Sequence, residues 1–585
     1  MIHKKSNRNN IIILLSVIGL IVCISVLFPQ IRQMIFDFLA IHIIKKESPV
    51  NQVWDKLFFS NAISGICFIL FIDYCLLADS GKLFVQKVKN DIKDCLSGID
   101  FRSFLKPAII LFSVYSLGII TIIRANFLYK DDIWRAVDGA RGWIGWGRYV
   151  SELFSVFIHG DIRLTDISPL TQLIAILFLT AAGLLLVYVI GNRKITVIRL
   201  LACIPLGLSP YILECLVFKY DAPYMALSIF ASIFPFLFIA RKKAFILFSV
   251  ISLLIMCMTY QAASGIYLLI TVMLCFIEWN NGKKSFKEIF SFFGAAVLSF
   301  CFALIFYRFF LMRPTTGDYY ASTAMHAFPD MIPGIFNNIK TYISVINDDF
   351  GIIWKTGIFL VCIFFISKSM QKSAHNKLIS FIISCLIIGV SFLSSNGVYF
   401  LLAIPSYRPA AFVGLSVFLS IMSIYIVSDF KKIAVITVLA LNWCFFVFAF
   451  SYGNALADQA RYAEFRIGIL LHDLSDLYPE MSNDDDITIQ LSNSIEFTPL
   501  VKNIAKHNPV IERLVPSRLD DMLFDYFYFE YFNYAKFRIN NRDALDIKDQ
   551  KSFIDYNTLN LPVVMDSYYH TIQSDGYHIL VILKH

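Results

Sequence analysis

Residues 169–190 read PLTQLIAILFLTAAGLLLVYVI, a run without a single charged side chain. A helix that crosses the hydrocarbon core of a bilayer needs about 20 mostly apolar residues, and this run meets that requirement. Similar runs recur along the chain, and they predict an all-α polytopic membrane protein with about 13 transmembrane helices. The predicted spans lie near residues 11–29, 57–77, 107–124, 169–190, 195–217, 223–240, 244–259, 261–278, 289–311, 352–367, 378–395, 411–428 and 433–451.

The composition supports a membrane protein, because 57% of the residues are hydrophobic and only 16% are charged. Soluble domains carry roughly 25% charged residues. The net charge of +8 is unevenly distributed: residues 452–585 contain 20 acidic and 12 basic residues, whereas residues 1–451 contain 23 acidic and 39 basic ones. The positive charge lies mostly between apolar runs, where it sets membrane orientation. We therefore expect a lipid bilayer, and no nucleic acid, as the partner of this basic part.

The acidic tail, residues 452–585, predicts a small α/β domain. Helical spacing occurs at 461–477 and 518–535, and strand-like runs occur at 487–491, 563–565 and 577–583. We expect the last two runs to form a hairpin through residues 573–576. The predicted domains are a two-span segment with a cytoplasmic loop (1–106), a transmembrane core (107–451) and this tail (452–585).

Loop charges predict the orientation of the spans. The N-terminus and every second loop after it carry 22 Lys and Arg residues, against 13 in the opposite, longer loops. Since Lys and Arg concentrate on the cytoplasmic side, we expect a cytoplasmic N-terminus. With an odd number of spans, the acidic tail and the loops 125–168 and 312–351 then lie outside.

A pair of carboxylates, Asp131 and Asp132, directly follows the third predicted span. One interpretation is a water-facing helix N-terminus, where the helix dipole favours acidic residues. The other is a general base at the membrane surface, since a carboxylate suits the removal of a hydroxyl proton. The pattern by itself leaves both interpretations open.

Further polar residues are predicted on the same side. A single Arg near a span end is usually an interface anchor. Several together favour a site for a phosphate-bearing lipid, because guanidinium groups bind phosphate strongly. No Cys/His spacing typical of a metal site and no nucleotide-binding loop occurs, so we expect no cofactor, although a divalent metal remains possible. The candidates for binding a phosphate or a sugar are Arg148, Asp221, Tyr260, Gln261, Arg308 and Arg408.

Several short motifs occur in a fixed order along the predicted core. They are Asp131–Asp132, Gly142 to Arg148, Asp166 to Leu170, Lys219 to Tyr224, and Tyr260–Gln261. In these motifs, from about Ala108 to Ser451, the chain resembles the GtrII-like membrane glucosyltransferases of the GT-C superclass. Enzymes of that family modify O-antigen, part of the lipopolysaccharide, in bacteria and their phages, and thereby convert serotype.

The resemblance implies a donor, glucose linked to undecaprenyl phosphate, that a synthase makes and a flippase moves across the bacterial inner membrane. The acceptor is then a hydroxyl of an O-antigen polysaccharide on the periplasmic side. Asp131 or Asp132 would serve as the base, with Asp221 as the alternative. Two other functions remain open, namely a flippase or transporter for lipid-linked polysaccharide and an O-antigen polymerase. A flippase predicts charged residues inside many spans, and a polymerase predicts Arg-rich external loops.

Overall fold

The computed structural model describes residues 79–97, 100–312, 323–428, 432–479, 487–517, 519, 528–529, 531–532, 538–540 and 554–584. The predicted spans 11–29 and 57–77 lie outside the described residues, as does most of the predicted helical stretch 518–535. The chain divides into two compact units, Met1–Ile99 and Asp100–His585. In the first unit, the description covers one helix, α1.

The described chain is predominantly helical. Its helices are α1 (Asp79–Ser97), α2 (Phe101–Gly118), α3 (Ile120–Ala125), α4 (Asp132–Asp138), α5 (Tyr149–His159), α6 (Leu170–Ile190), α7 (Val197–Leu201), α8 (Pro205–Leu208), α9 (Pro210–Val217), α10 (Ala222–Ile233), α11 (Lys242–Cys257), α12 (Ser264–Asn280), α13 (Phe286–Phe306), α14 (Met331–Asp349), α15 (Ile352–Lys372), α16 (Lys377–Ser394), α17 (Val413–Val427), α18 (Lys432–Leu477), α19 (Pro499–Ala505) and α20 (Ile511–Leu514).

Seven helices of the described chain are long and apolar enough to cross a membrane, and there are eight if a bent helix pair forms one span. The multi-span prediction is therefore confirmed, whereas the count of about thirteen is not. The seven coincide with predicted spans 169–190, 261–278, 289–311, 352–367, 378–395, 411–428 and 433–451.

Four other predicted spans are shorter or broken. The predicted span 107–124 divides at Ile119 into α2 and α3. The span 195–217 is interrupted, and its two parts bend by 59° where Pro210 begins α9. Proline has no amide hydrogen and blocks a continuous helix, which explains this second break. The span 223–240 corresponds to α10, which the 3-10 turn Phe234–Phe238 extends. The span 244–259 corresponds to α11.

Burial distinguishes the centre of the helix bundle from its periphery. The span that contains α17 is 100% buried within the protein, whereas α16 is only 17% buried. The small residues Ser416, Ser420 and Ser423 of α17 are fully buried, and small residues let neighbouring helices approach closely. Apolar side chains of α16 such as Leu386 point away from the protein, as expected for a surface that faces lipid.

The last span and the first helix of the predicted tail form one continuous helix, α18. It passes the predicted boundary at residues 451 and 452 without a break. Gly453 lies at the closest approach to α3, where a Cβ atom would come within 2.4 Å of the Thr121 hydroxyl. The absence of a side chain therefore allows α18 to continue past α3, and it rigidly connects the tail to the bundle.

The tail contains a five-stranded sheet in the order β2-β1-β5-β4-β3. Strand β1 pairs in parallel with β2 and β5, and the other pairs are antiparallel. Apolar residues of β1, β4 and β5 pack on one face of α18, at Ala463, Ile467, Leu470 and Leu474. Their spacing of three and four residues gives α18 a continuous apolar face. The strands are β1 (Thr488–Ser492), β2 (Arg538–Ile539), β3 (Val563–Asp566), β4 (His570–Ser574) and β5 (His578–Leu583).

The predicted hairpin is wrong in its pairing. Residues 573 and 574, which were expected in the turn, belong to β4. Strand β4 pairs with both β3 and β5, so it separates the two strands that were expected to pair with each other. The sequence conceals β4 because two of its three buried positions, His570 and Ser574, are polar. His570 is accommodated by Asp473 of α18, whose carboxylate lies 3.0 Å from Nε2.

A buried ion pair connects the tail to the bundle. Arg513 of α20 pairs with Asp349 at the end of α14, and it also donates a hydrogen bond to the carbonyl of Tyr407. The Asp349 carboxylate is 1% exposed and also accepts a hydrogen bond of 3.0 Å from the Tyr211 hydroxyl. Arg513 therefore holds the backbone immediately before Arg408, a predicted site residue.

We expect Arg513→Ala to destabilise the protein by about 3–5 kcal/mol, because it leaves the buried charge of Asp349 without its partner. The free energy of unfolding in mixed detergent micelles measures this loss. Arg461→Ala is the matched control, since Arg461 forms an exposed ion pair with Asp458, and such pairs contribute about 0–1 kcal/mol. Equal losses for both variants would contradict a structural role for the buried pair.

Candidate functional site

The predicted carboxylate pair lies at the start of α4, and the two acids have different environments. Asp132 is fully buried, and it accepts hydrogen bonds of 3.0 Å from the backbone amides of Tyr129 and Lys219. Burial raises the pKa of Asp132 well above its usual range, although these amides oppose the shift. Asp132 thus joins two loops and has no open path to a substrate.

Asp131 precedes α4, and its side chain is 34% exposed. One carboxylate oxygen lies 3.6 Å from Arg135, one turn further along the helix. Tyr129, two residues before Asp131, donates from its hydroxyl to Glu214, the acid that pairs with Arg408. Of the two adjacent acids, Asp131 is therefore the accessible one, and it has a cation, Arg135, beside it.

Arg135, which the sequence analysis did not select, lies between two acids. Its guanidinium is 3.3 Å from Asp221 as well as 3.6 Å from Asp131, and it stacks 4.2 Å from the centre of the Trp143 ring. The Trp143 indole donates a hydrogen bond to Asp221. Asp221 is buried and engaged on both sides, which favours a positioning role for it.

Arg408 is held by an acid inside the bundle. Glu214 of α9 lies 3.3 Å from the Arg408 guanidinium and accepts a 2.9 Å hydrogen bond from the Tyr129 hydroxyl. Its second oxygen accepts from the backbone amide of Ala410. The Arg408 side chain is nevertheless 44% exposed. Arg408 is therefore fixed in place and still available to an anion.

A second group contains Arg148, Tyr260 and Gln261. Arg148 donates a 3.2 Å hydrogen bond to Gln261 and lies 5.1 Å from the centre of the Tyr260 ring. Gln261 also donates to the hydroxyl of Tyr307 at 2.9 Å. The 3-10 turns Gln261–Ala263 and Pro409–Phe412, which directly follow Tyr260 and Arg408, contact each other. The group around Arg148 therefore lies next to the segment that begins at Arg408.

Arg308 has a different neighbour. It lies in the π-helical segment Tyr307–Leu311, and its guanidinium contacts the thioether of Met312 at 3.2 Å. The structure thus brings together Asp131, Arg148, Tyr260, Gln261 and Arg408, with Asp132 and Asp221 as buried supports beside them. The catalytic and binding roles of all eight residues stay predictions.

Glu214 is an acid deep in the predicted span 195–217, but nothing in the sequence connects it with Arg408. An ionisable residue in a span usually has a partner, so the isolated acid was a signal for one. Arg135 gave no comparable signal, because an arginine in a charged loop is common. Among the residues that the structure describes, no group of three or more His, Cys, Asp or Glu side chains could hold a metal ion.

The fold and the site define a multi-span membrane protein in which acids and arginines converge at the ends of helices. The sequence model of the family described as glucosyl transferase GtrII matches residues 120–411, a range that contains all eight predicted site residues. The chain belongs to this GtrII family of glucosyltransferases.

A relative supports the assignment to this family. It is described as an uncharacterized 55.3 kDa protein in the gtrB 5′ region of Salmonella phage P22. The two chains are 24% identical over 435 residues, which cover 72% of this chain and 88% of the relative. No solved structure matches the chain.

Proposed function

We propose that this protein transfers glucose from undecaprenyl phosphate to a hydroxyl group of an O-antigen polysaccharide at the periplasmic face of a bacterial inner membrane. Membership of the glucosyltransferase family supports the reaction class. The observation that carries the proposal is the position of Asp131, which is partly exposed and lies two residues after Tyr129, whose hydroxyl donates to Glu214, the partner of Arg408. A base and a phosphate-binding cation are the two groups that this reaction requires.

In the proposed reaction, the acceptor hydroxyl oxygen attacks the anomeric carbon of glucose. The acceptor proton passes to the Asp131 carboxylate as the new carbon–oxygen bond forms. The bond between the anomeric carbon and the phosphate oxygen breaks, and undecaprenyl phosphate leaves with the electron pair. A single displacement of this kind inverts the configuration at the anomeric carbon.

The two arginines have complementary roles in this proposal. Arg408, fixed by Glu214, binds the donor phosphate and stabilises the negative charge that develops as it leaves. Arg148, which lies against the Tyr260 ring, is the second candidate for binding the phosphate. Tyr260 and Gln261 then contact the glucose, because an aromatic ring can stack on the C–H face of a sugar. The phosphate is itself the leaving group, so the reaction needs no nucleotide.

The proposal is tested by mass spectrometry of O-antigen from cells that produce the protein together with a polyprenyl phosphate glucose synthase and a flippase. We expect one added hexose per modified repeat, and none in cells that lack the synthase. Glucosylation that persists without any synthase would contradict the proposed donor. An unchanged O-antigen in cells with all three proteins would contradict the proposed function.

The side of the membrane has its own test. Tyr577 is exposed next to β5, and Lys283 is exposed between α12 and α13, at the opposite predicted side. We expect Tyr577→Cys to react in spheroplasts with a membrane-impermeant maleimide, above the wild-type background, and Lys283→Cys to react only after lysis. The reverse pattern would contradict a periplasmic tail.

A further inference from the structure

A cavity of about 790 Å³ lies where the tail meets the bundle. One wall consists of residues 124–128, which follow α3, and α18 forms another between residues 454 and 464. Tyr531 and Phe532 of the tail complete it. We call this cavity the tail cleft. Its volume lies within the range of about 300–1,000 Å³ that is usual for ligand sites.

The lining of the tail cleft combines charged, amide and aromatic groups. Arg124 donates a hydrogen bond to the amide oxygen of Asn454. Arg461 is 75% exposed, and Glu464 lines the same wall. The rings of Tyr531 and Phe532 meet edge to face with their centres 5.3 Å apart, and Tyr531 remains 49% exposed.

This combination fits a carbohydrate. A sugar presents hydroxyl groups that bond to guanidinium, amide and carboxylate groups, and its C–H faces stack on exposed aromatic rings. A lipid chain would place the charged side chains of Arg461 and Glu464 against hydrocarbon, which is costly. The wall formed by α18 also contains Ala457 and Ala460, whose small side chains leave room for a ligand.

The tail cleft is directly connected to the carboxylate loop. Leu128 lines the cleft, and Asp131 follows three residues later, which is at most about 10 Å of extended chain. Asn126 accepts a 2.6 Å hydrogen bond from the Lys219 side chain, and the Lys219 backbone amide donates to Asp132. Ile133 of α4 is buried in the tail's own hydrophobic core.

Tyr528 gives a second connection. It lines the tail cleft and belongs to the same hydrophobic cluster as Leu128 and Ile133, which lie on either side of Asp131 in the chain. A polymer in the tail cleft therefore lies beside the loops that hold the candidate base. We infer that the tail cleft binds the acceptor polysaccharide and holds it next to Asp131. This inference rests on the proposed function and assigns its acceptor site.

The test uses the full-length protein in detergent, with unmodified O-antigen polysaccharide as the probe and polyprenyl phosphate glucose as the donor. We expect Tyr531→Ala to raise the acceptor KM about tenfold through the loss of ring stacking. The kcat and the donor KM should stay within about twofold of wild type, since the cleft does not touch the reacting atoms. Tyr531→Phe should retain acceptor binding, because it keeps the ring.

Tyr568→Ala is the matched control, since Tyr568 is 81% exposed on the tail and does not line the cleft. Arg461→Glu is a second cleft variant at a highly exposed position, where folding is not at risk. Unchanged acceptor KM in both cleft variants would overturn the inference. A raised donor KM with an unchanged acceptor KM would assign the cleft to the lipid donor instead.

Direct binding separates this inference from the proposed function. Polysaccharide binding by the wild-type protein, measured by saturation-transfer NMR, requires no chemical step. If wild-type protein transfers no glucose but binds the polysaccharide, and Tyr531→Ala abolishes the binding, the proposed reaction fails and the cleft assignment stands. If glucose is transferred and the variants bind the polysaccharide as wild type does, the cleft assignment fails alone.

Discussion

Replacement of Asp131 by Asn is expected to reduce glucosyl transfer by about 10²- to 10⁴-fold, the usual contribution of a general base. Asn retains the size of the side chain but does not accept the proton of the acceptor hydroxyl. Asp131 is partly exposed, and in the variant Arg135 would still form its ion pair with Asp221. We therefore expect little change in thermal stability. Initial rates of transfer to polysaccharide by the purified variant measure the effect.

The control for this prediction is the neighbouring acid. Asp132 is buried and accepts backbone hydrogen bonds, so Asp132→Asn should lower the thermal unfolding midpoint. The folded fraction of this variant should transfer glucose at least about tenfold faster than Asp131→Asn, since it keeps the base. A fully active Asp131→Asn enzyme beside an inactive, folded Asp132→Asn enzyme would reverse the assignment of the two acids.

The second large effect is expected at Arg408. Removing one group that stabilises developing negative charge typically slows a reaction by about 10²- to 10³-fold, and we expect this loss for Arg408→Gln. Arg408→Lys should recover part of the rate, because it restores the charge but not the planar guanidinium. Single-turnover rates with saturating donor separate the chemical step from donor binding.

Arg408→Gln alone also leaves Glu214 buried without its cation, which destabilises the protein. The double variant Arg408→Gln/Glu214→Gln removes both charges and keeps a side chain that accepts from Tyr129. We expect it to regain stability but not activity. Arg308→Gln should have a small effect on the rate, because the Arg308 guanidinium contacts the thioether of Met312. Activity in the stable double variant would contradict a role for Arg408 on the phosphate.

Periodicity and hydropathy predict the seven long apolar helices because each satisfies the bilayer's requirement on its own. Pro210 marks the position of the break in the span 195–217, since proline blocks a continuous helix. The bend of 59° is not predicted by periodicity or hydropathy, since it depends on how the two halves pack. The same limit explains β4. Its inward-facing His570 is stabilised by Asp473, almost one hundred residues earlier in the chain, and no local pattern contains that partner.

The candidate site divides in the same way. The side on which the motifs lie is predicted from loop charges. The hydrogen bond between Arg148, in the middle of a long loop, and Gln261 is not predicted, because these residues are 113 positions apart in the chain. The difference between Asp131 and Asp132 is not visible in the sequence, where they are adjacent and chemically identical. Only the amides of Tyr129 and Lys219, the latter from a distant loop, make Asp132 the buried one.

The sequence by itself determined that this chain is a multi-span membrane protein with a small mixed tail, and its motifs were sufficient for the resemblance to GtrII-like glucosyltransferases. These properties are local, because a span or a motif is complete within about 20 residues. The tertiary structure alone decided that Glu214 holds Arg408, that Arg135 joins Asp131 to Asp221, and that the tail forms a cleft beside them. Ion pairs and cavities depend on distances between segments that are far apart in the chain, and only the packing of the helices sets those distances.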